Sequence, residues 1–452
     1  MKLSTALRID ENSRVAFVGS GGKTTAITQV ASELKSPCLI STTTHLGVWQ
    51  KNIADTHIMI EKARDWKKLW NAQGRIVLVT GEVEGNRLKG IDLPEITNCL
   101  DYCNEKHIPL LIECDGSRQL PLKFPKNDEP LVPEFVDTVV VCCGLSGLGQ
   151  TLNSSSVYQA EQFSSISGID PSKKVSVDGL VKVLSHPNGG LKHIPGNASS
   201  VLLLNQADTT SLLVKAGEIA VRMTYHFDYV VISTLIHKHV FSTLEPTAAI
   251  ILAAGSSSRF GQTKQLLRFN EGTFLQSIID SAKIADLSPI VVVTGSDHEH
   301  VESSLRDQTQ ISVVYNPDWE EGQSTSIRVG LNELERSFDK KTGENKRGSY
   351  PGSVIFLLAD QPQVQSTLLE ALSVQHSHSL SPVIAPLVDG QRANPVLFDR
   401  ITFPSLKSLK GDKGGRGIFA EFPPAYIPWY DNSMLIDVDT SSDYSKLLHE
   451  TN

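Results

Sequence analysis

Short apolar runs alternate with longer mixed segments throughout the chain. A first series covers residues 15–18, 37–41, 76–80, 109–113, 138–142, 201–205 and 229–232. A second covers 248–253, 289–293, 311–315, 354–359 and 382–385. Short runs rich in valine, isoleucine and leucine read as strands buried on both faces. The segments between them are mostly long enough for helical crossovers, so the pattern predicts α/β architecture, a parallel sheet written twice. The boundary between the two is expected near Leu244-Glu245-Pro246-Thr247, giving domains of 1–245 and 246–452. Residues 338–352 are polar, charged and without apolar periodicity, which predicts an exposed insertion loop.

Composition narrows the classes. A chain of 452 residues exceeds one ordinary core and suits two domains of about 200 residues each. The 40% hydrophobic and 20% charged fractions are globular values. A net charge of −8 opposes broad contact with nucleic acid or an anionic membrane, so neither is expected as a partner. The first residues lack the apolar core of a signal peptide, and no run approaches the roughly 18 apolar residues of a membrane helix; a cytoplasmic protein is expected. Cys38, Cys99, Cys103, Cys114, Cys142 and Cys143 show no zinc-binding spacing. They read as buried, reduced thiols, with a role in selenium or sulfur handling as the alternative.

Two strand ends carry the chemistry. In the second half, Ile250-Ile251-Leu252-Ala253-Ala254-Gly255-Ser256-Ser257-Ser258-Arg259 runs from an apolar strand into small residues and an arginine, with Lys264 close behind. Small residues let backbone N–H groups approach a polyphosphate, and Arg259 and Lys264 supply the opposing charge. The run 354–359 ends in Asp360, a strand-end carboxylate placed as a metal ligand. In the first half, Val18-Gly19-Ser20-Gly21-Gly22-Lys23-Thr24-Thr25 follows a strand and opens a helix. The longer Gly-x4-Gly-Lys-Thr spacing fails because Phe17 takes its first position, but the shorter Gly-x-x-Gly-Lys-Thr-Thr form is met. Its N–H groups and helix N-terminus suit phosphates, Lys23 the terminal ones, and Thr24 a bound Mg²⁺.

Glu113 and Asp115 close another strand and would hold that ion directly or through water. Asn205-Gln206-Ala207-Asp208 resembles the Asn-x-x-Asp that reads guanine in GTPases, although Gln206 replaces the usual lysine. The alternative is a strand end with a helix cap at Asp208. Ser41-Thr42-Thr43-Thr44-His45 offers a hydroxyl-rich lip or a plain strand end.

The ordered set of motifs in 247–452 resembles the molybdenum cofactor cytidylyltransferases. It comprises Leu252-Ala253-Ala254-Gly255-x-Ser257-x-Arg259-x-Gly261-x-x-Lys264, Trp319-x-x-Gly322-Gln323-x-x-Ser326, Ala359-Asp360-Gln361-Pro362, Asn394-Pro395-Val396, Gly411-Asp412-x-Gly414-Gly415-Arg416 and Asp437-Val438-Asp439-Thr440. Phe260 stands where that family usually has methionine, and Ala393-Asn394 replaces a common Gly-His. Residues 10–240 resemble accessory proteins of selenium-dependent molybdenum hydroxylases, through Gly19 to Thr25, Glu113-x-Asp115-Gly116-Ser117-Arg118 and His186-Pro187-x-Gly189-Gly190.

These resemblances imply a P-loop-like nucleotide-binding accessory domain followed by a Rossmann-like nucleotidyltransferase domain. The second would move CMP from CTP to the molybdopterin form of the molybdenum cofactor, releasing pyrophosphate, and an apo molybdenum hydroxylase is the implied protein partner. By the same resemblance Gln323 and Ser326 contact base and ribose, Asn394, Asp412 and Arg416 the pterin side, and Asp437 or Asp439 joins Asp360 on Mg²⁺. A sugar- or isoprenoid-phosphate nucleotidyltransferase and a cofactor-delivery protein are the alternatives.

Overall fold

The computed structural model describes residues 1–256, 260, 263–339, 350–438 and 440–450. The chain divides into two compact units, Met1–Leu244 and Glu245–Asn452, each with its own sheet.

The first unit is built on nine strands: β1 (Arg14–Gly19), β2 (Cys38–Thr42), β3 (Thr56–Met59), β4 (Ile76–Thr80), β5 (Leu110–Glu113), β6 (Thr138–Gly144), β7 (Ser199–Asn205), β8 (Tyr229–Thr234) and β9 (His239–Leu244). Their order is β9-β8-β7-β6-β1-β5-β2-β4-β3, parallel except at the β8–β9 edge. Alternate residues of β1 enter different cores. Val15 and Phe17 pack on one face with Ile27, Val30 and Leu203, while Ala16 and Val18 pack on the other with Ile112, Val141 and Leu204. Both faces of the sheet are therefore covered, which is why its strands read as continuous apolar runs. The sequence pattern overlooks β3, whose Thr56 and His57 break the run, and β9, an antiparallel edge.

The second unit carries an eight-stranded sheet. Its strands are β10 (Thr247–Ala253), β11 (Ile290–Thr294), β12 (Ile311–Tyr315), β13 (Ser353–Leu358), β14 (Val383–Val388), β15 (Gln391–Arg392), β16 (Val396–Asp399) and β17 (Ala425–Pro428). The order is β12-β11-β10-β13-β16-β14-β15, with β17 pairing β14. Here the expected all-parallel arrangement is corrected: β16 runs antiparallel to both β13 and β14. The stretch between β14 and β16 is too short for a parallel crossover, which needs a dozen or more residues, so the chain reverses. Again the faces are both buried, Ala249 and Ile251 on one side, Ala248 and Ile250 on the other. Helix α1 (Lys23–Glu33) follows β1 in the first unit, and helix α2 (Gln323–Asp339) covers one face in the second. Most of the loop expected at 338–352 falls outside the described residues.

Candidate functional site

In the first unit the glycine loop sits between the end of β1 and the first residue of α1. Gly21 and Gly22 hold φ of +77° and +128°, which side-chain-bearing residues rarely adopt. A Cβ on Gly21 would lie 2.3 Å from the Gly144 backbone, so the loop also needs glycine for room. Lys23 is buried; its Nζ donates to the Gly19 carbonyl at 2.7 Å and faces Asp115 Oδ1 at 3.3 Å and Glu113 Oε1 at 3.9 Å. Burial alone would lower the Lys23 pKa, but the carboxylates of Asp115 and Glu113 outweigh it and hold it above the ordinary lysine value. Burial pushes the Glu113 carboxyl above its usual range, against the pull of Lys23 and the Thr24 hydroxyl.

The two carboxylates at the end of β5 have different surroundings. Glu113 Oε2 accepts from Thr24 Oγ1 at 2.8 Å, and Gln50 Nε2 donates to that same hydroxyl at 2.7 Å. Asp115 Oδ2 accepts from Lys123 Nζ at 2.7 Å and from the Gly19 N–H at 3.0 Å. Asp115 is thus a counter-ion clamped between two lysines and the loop, while Glu113 is the carboxylate that shares a contact with Thr24.

In the second unit, β10 and β13 pair through Leu252 and Leu358, and the Ala359 N–H donates to the Leu252 carbonyl at 3.1 Å. That register brings two segments out side by side: Ala253, Ala254, Gly255 and Ser256 from one strand, half-buried Asp360 from the other. Gln265 Nε2 donates to the Gly255 carbonyl at 3.2 Å and pins the loop from below. Lys264 opens the same short helical turn, Lys264–Leu266, and is buried. Beyond Asp360, Gln361 Nε2 donates to Asp437 Oδ1 at 2.8 Å, so an exposed second carboxylate is tied to the neighbouring residue. Gln323, Asn394, Asp412 and Arg416 line one cavity with Leu252, Phe356 and Phe419. Its rim is close-packed: a Cβ on Gly414 would meet Gln323 Oε1 at 2.3 Å, and one on Gly322 would meet the Asp412 N–H.

Comparison with known proteins agrees with this division. Residues 15–161 match the YqeC protein family and residues 249–425 the MobA-like NTP transferase domain. The chain joins a YqeC-family domain to a MobA-like NTP transferase domain. It is a nucleotidyltransferase. It is 27% identical over 219 residues to the protein YqeC of Escherichia coli (strain K12), covering 47% of this chain and 83% of that protein. It is 28% identical over 204 residues to the purine catabolism protein PucB of Bacillus subtilis (strain 168), covering 43% and 92%. The match to the molybdenum cofactor cytidylyltransferase of Escherichia coli (strain K12) is 37% identical over 82 residues, 18% of this chain and 42% of that protein.

Within the transferase domain, the residues selected from sequence do not all come together. Ala253, Ala254, Gly255, Ser256 and Asp360 emerge together, and Gln323, Asn394, Asp412 and Arg416 share the cavity. Ser326 lies elsewhere: it is buried inside α2, and its Oγ accepts from Asn316 Nδ2 at 2.9 Å, so it braces the fold instead of facing the cavity. Ser257, Ser258, Arg259, Gly261 and Asp439 lie outside the described residues.

Several expectations in the YqeC-family unit also change. The hydroxyls of Thr42 and Thr43 turn inward to the carbonyls of Glu113 and Leu131, so they form no lip. Asp208 does not cap the helix that follows; Thr209 does, accepting from the Leu212 N–H at 3.2 Å. All six cysteines are buried and unbridged. Burial pushes the Cys38, Cys99 and Cys143 thiols up to about 12, so they pack as small hydrophobes. Sequence reasoning gave no role here to Lys123, which meets Asp115 eight residues away, and none to Gln50 or to the Asn205 amide, which reach Thr24 and Gly21 across 26 and 184 residues. Only the Asn-x-x-Asp motif gave a signal.

Proposed function

We propose that the transferase domain moves CMP from CTP onto the phosphate of molybdopterin bearing molybdenum, giving the cytosine dinucleotide form and pyrophosphate. The observation that carries this is the register of β10 and β13, which brings residues 253–256 and Asp360 out side by side, just beyond Leu252 and Leu358 in the wall of the cavity that Gln323, Asn394, Asp412 and Arg416 share. The similarity to a molybdenum cofactor cytidylyltransferase supports the acceptor and the base, and probable molybdenum cofactor guanylyltransferases at 24–25% identity support the acceptor class.

The acceptor phosphate is itself the nucleophile, so no general base is required and catalysis rests on position and charge. Backbone N–H groups of residues 254–256 line the triphosphate. Lys264 opposes its charge, together with Arg259. Gln323 meets the nucleoside, and Asn394, Asp412 and Arg416 hold the pterin. The carboxylates of Asp360 and Asp437 are hard oxygen donors, and the buried Gln361 Oε1 between them in sequence has no hydrogen-bond partner among the described residues. This set fits Mg²⁺, with Asp439 a further candidate carboxylate. Mg²⁺ bound there would neutralise charge at the reacting phosphate.

The YqeC-family unit, in this reading, binds a second nucleotide on Gly19, Ser20, Gly21, Gly22, Lys23, Thr24 and Thr25. Glu113 and Thr24 would hold its Mg²⁺, with Asp115 as the counter-ion that fixes Lys23. Its task is a neighbouring step in maturing a molybdenum hydroxylase in the cytoplasm, a selenium-dependent one by family resemblance.

The test is pyrophosphate release with molybdopterin and CTP, GTP or ATP. CTP is expected to support the fastest turnover, and Asp360→Asn to lower it by on the order of 10²-fold or more. Equal rates with all three nucleotides would overturn the base assignment. Undiminished turnover of Asp360→Asn at saturating Mg²⁺ would remove Asp360 from the site.

A further inference from the structure

We propose that the phosphate loop of the YqeC-family unit takes a guanine nucleotide and that Asp208 reads its base. This rests on the reading of residues 19–25 as a nucleotide site and adds which nucleotide it accepts.

The strand order places the two features. The loop leaves β1, β6 is the next strand, and β7 is the one after it, all parallel. Residues just beyond β7 therefore sit on the same edge of the sheet as the loop, two strand spacings or about 10 Å to the side. That is the direction and reach of a nucleoside whose inner phosphates rest on the loop. Ligands of open parallel sheets bind along this carboxyl edge.

The intervening backbone is locked. Asn205 ends β7 and is buried; its Nδ2 donates to the Gly21 carbonyl at 2.8 Å, and its Oδ1 accepts from the Leu235 N–H at 3.0 Å. One amide thus ties the phosphate loop to the turns after β7 and β8. Gln206 holds a left-handed φ of +65°, and its Oε1 accepts from Ser146 Oγ at 2.6 Å, which fixes the turn leading to Asp208.

Asp208 itself is exposed and has no structural employment in the helix, since Thr209 is the cap. Its Oδ1 accepts from the Thr234 hydroxyl, and no cation pairs with it among the described residues. The result is an oriented carboxylate with acceptor capacity to spare. A carboxylate accepts and does not donate. Among the common bases, only guanine presents two adjacent donors on one edge, its N1–H and its 2-amino group. Adenine and cytosine set an acceptor beside their amino group, which would face the carboxylate repulsively.

The experiment uses the full chain and measures binding of GDP, ADP, CDP and XDP with Mg²⁺ by calorimetry. The signal removed by Lys23→Ala defines the site on the loop. At that site GDP is expected to bind on the order of 10- to 100-fold tighter than ADP or CDP, the range of one bidentate base contact. Asp208→Asn should lose GDP by a similar factor and gain XDP, because the amide donates where the carboxylate accepted and xanthine offers a carbonyl at that position. A merely structural Asp208 would not transfer preference to XDP. Equal binding of the nucleotides at the Lys23-dependent site, or an Asp208→Asn loss without gain of XDP, would overturn the base reading and leave the phosphate loop standing. No Lys23-dependent binding of any nucleotide would overturn the loop reading itself.

Discussion

Lys264 is buried at the edge of a loop that leaves its strand through alanine and glycine. A buried ammonium is poorly solvated, so its attraction to a phosphate is stronger than at an exposed surface. If that attraction grows as charge develops on the leaving pyrophosphate, Lys264→Ala lowers kcat more than it raises KM for CTP. Steady-state kinetics at varied CTP decides it; a pure KM effect would make Lys264 a ground-state binding residue. The glycine loop of the first unit makes a steric demand. At Gly21 a methyl group would meet the Gly144 backbone at 2.3 Å, with φ at +77°. Gly21→Ala should therefore destabilise the first unit by about 1–3 kcal/mol and weaken nucleotide binding there, read by denaturant unfolding and calorimetry. Both sites depend on side chains that work by contact with backbone: Gln265 on the Gly255 carbonyl, Asn205 on the Gly21 carbonyl.

Elements were easier to foresee than contacts, and the reason is physical. Strands buried on both faces announce themselves as apolar runs, and glycine before lysine at a helix start marks a phosphate loop, because each is a local requirement. Thr56–Met59 was hidden because two of its residues are polar, and the reversal at Val396–Asp399 is set by connection length, not by composition. The family resemblance makes Ser326 a ligand contact, yet the turn of α2 sends it to Asn316. Gln361 was visible only as part of a motif; its bond to Asp437 spans distant sequence. The same helix offers a test of how tightly elements are fitted. Gly330 faces the sheet, and a Cβ there would meet Ile250 Cγ2 at 2.6 Å and Val293 Cγ2 at 3.2 Å. Alanine is the better helix former, but here overpacking should win, so Gly330→Ala is expected to destabilise the transferase domain by about 1–3 kcal/mol. Thermal unfolding of that domain checks it; a rise in melting temperature would mean that α2 can shift outward without loss.

Each unit of the molecule has its own sheet, its own cores on both faces and its own glycine-bearing strand end. Among the described residues the division at Leu244 and Glu245 severs no strand pair, since β9 pairs with β8, and β10 with β11 and β13. PucB is matched over 92% of its length by 43% of this chain, a stretch about the size of one unit. A chain beginning at Glu245 should then fold and retain nucleotidyl transfer, since a unit of roughly 200 residues buries enough surface to stand alone. In the full chain, Lys23→Ala should abolish nucleotide binding at the first loop while pyrophosphate release by the transferase domain stays within about twofold of the parent, as expected for loops carried by separate sheets. In cells the same substitution should still impair activation of a molybdenum hydroxylase, because the first unit is assigned a separate step in the pathway. Silencing of the transferase in vitro by Lys23→Ala, with the fold intact by circular dichroism, would show that the two sites are energetically coupled and that one loop licenses the other.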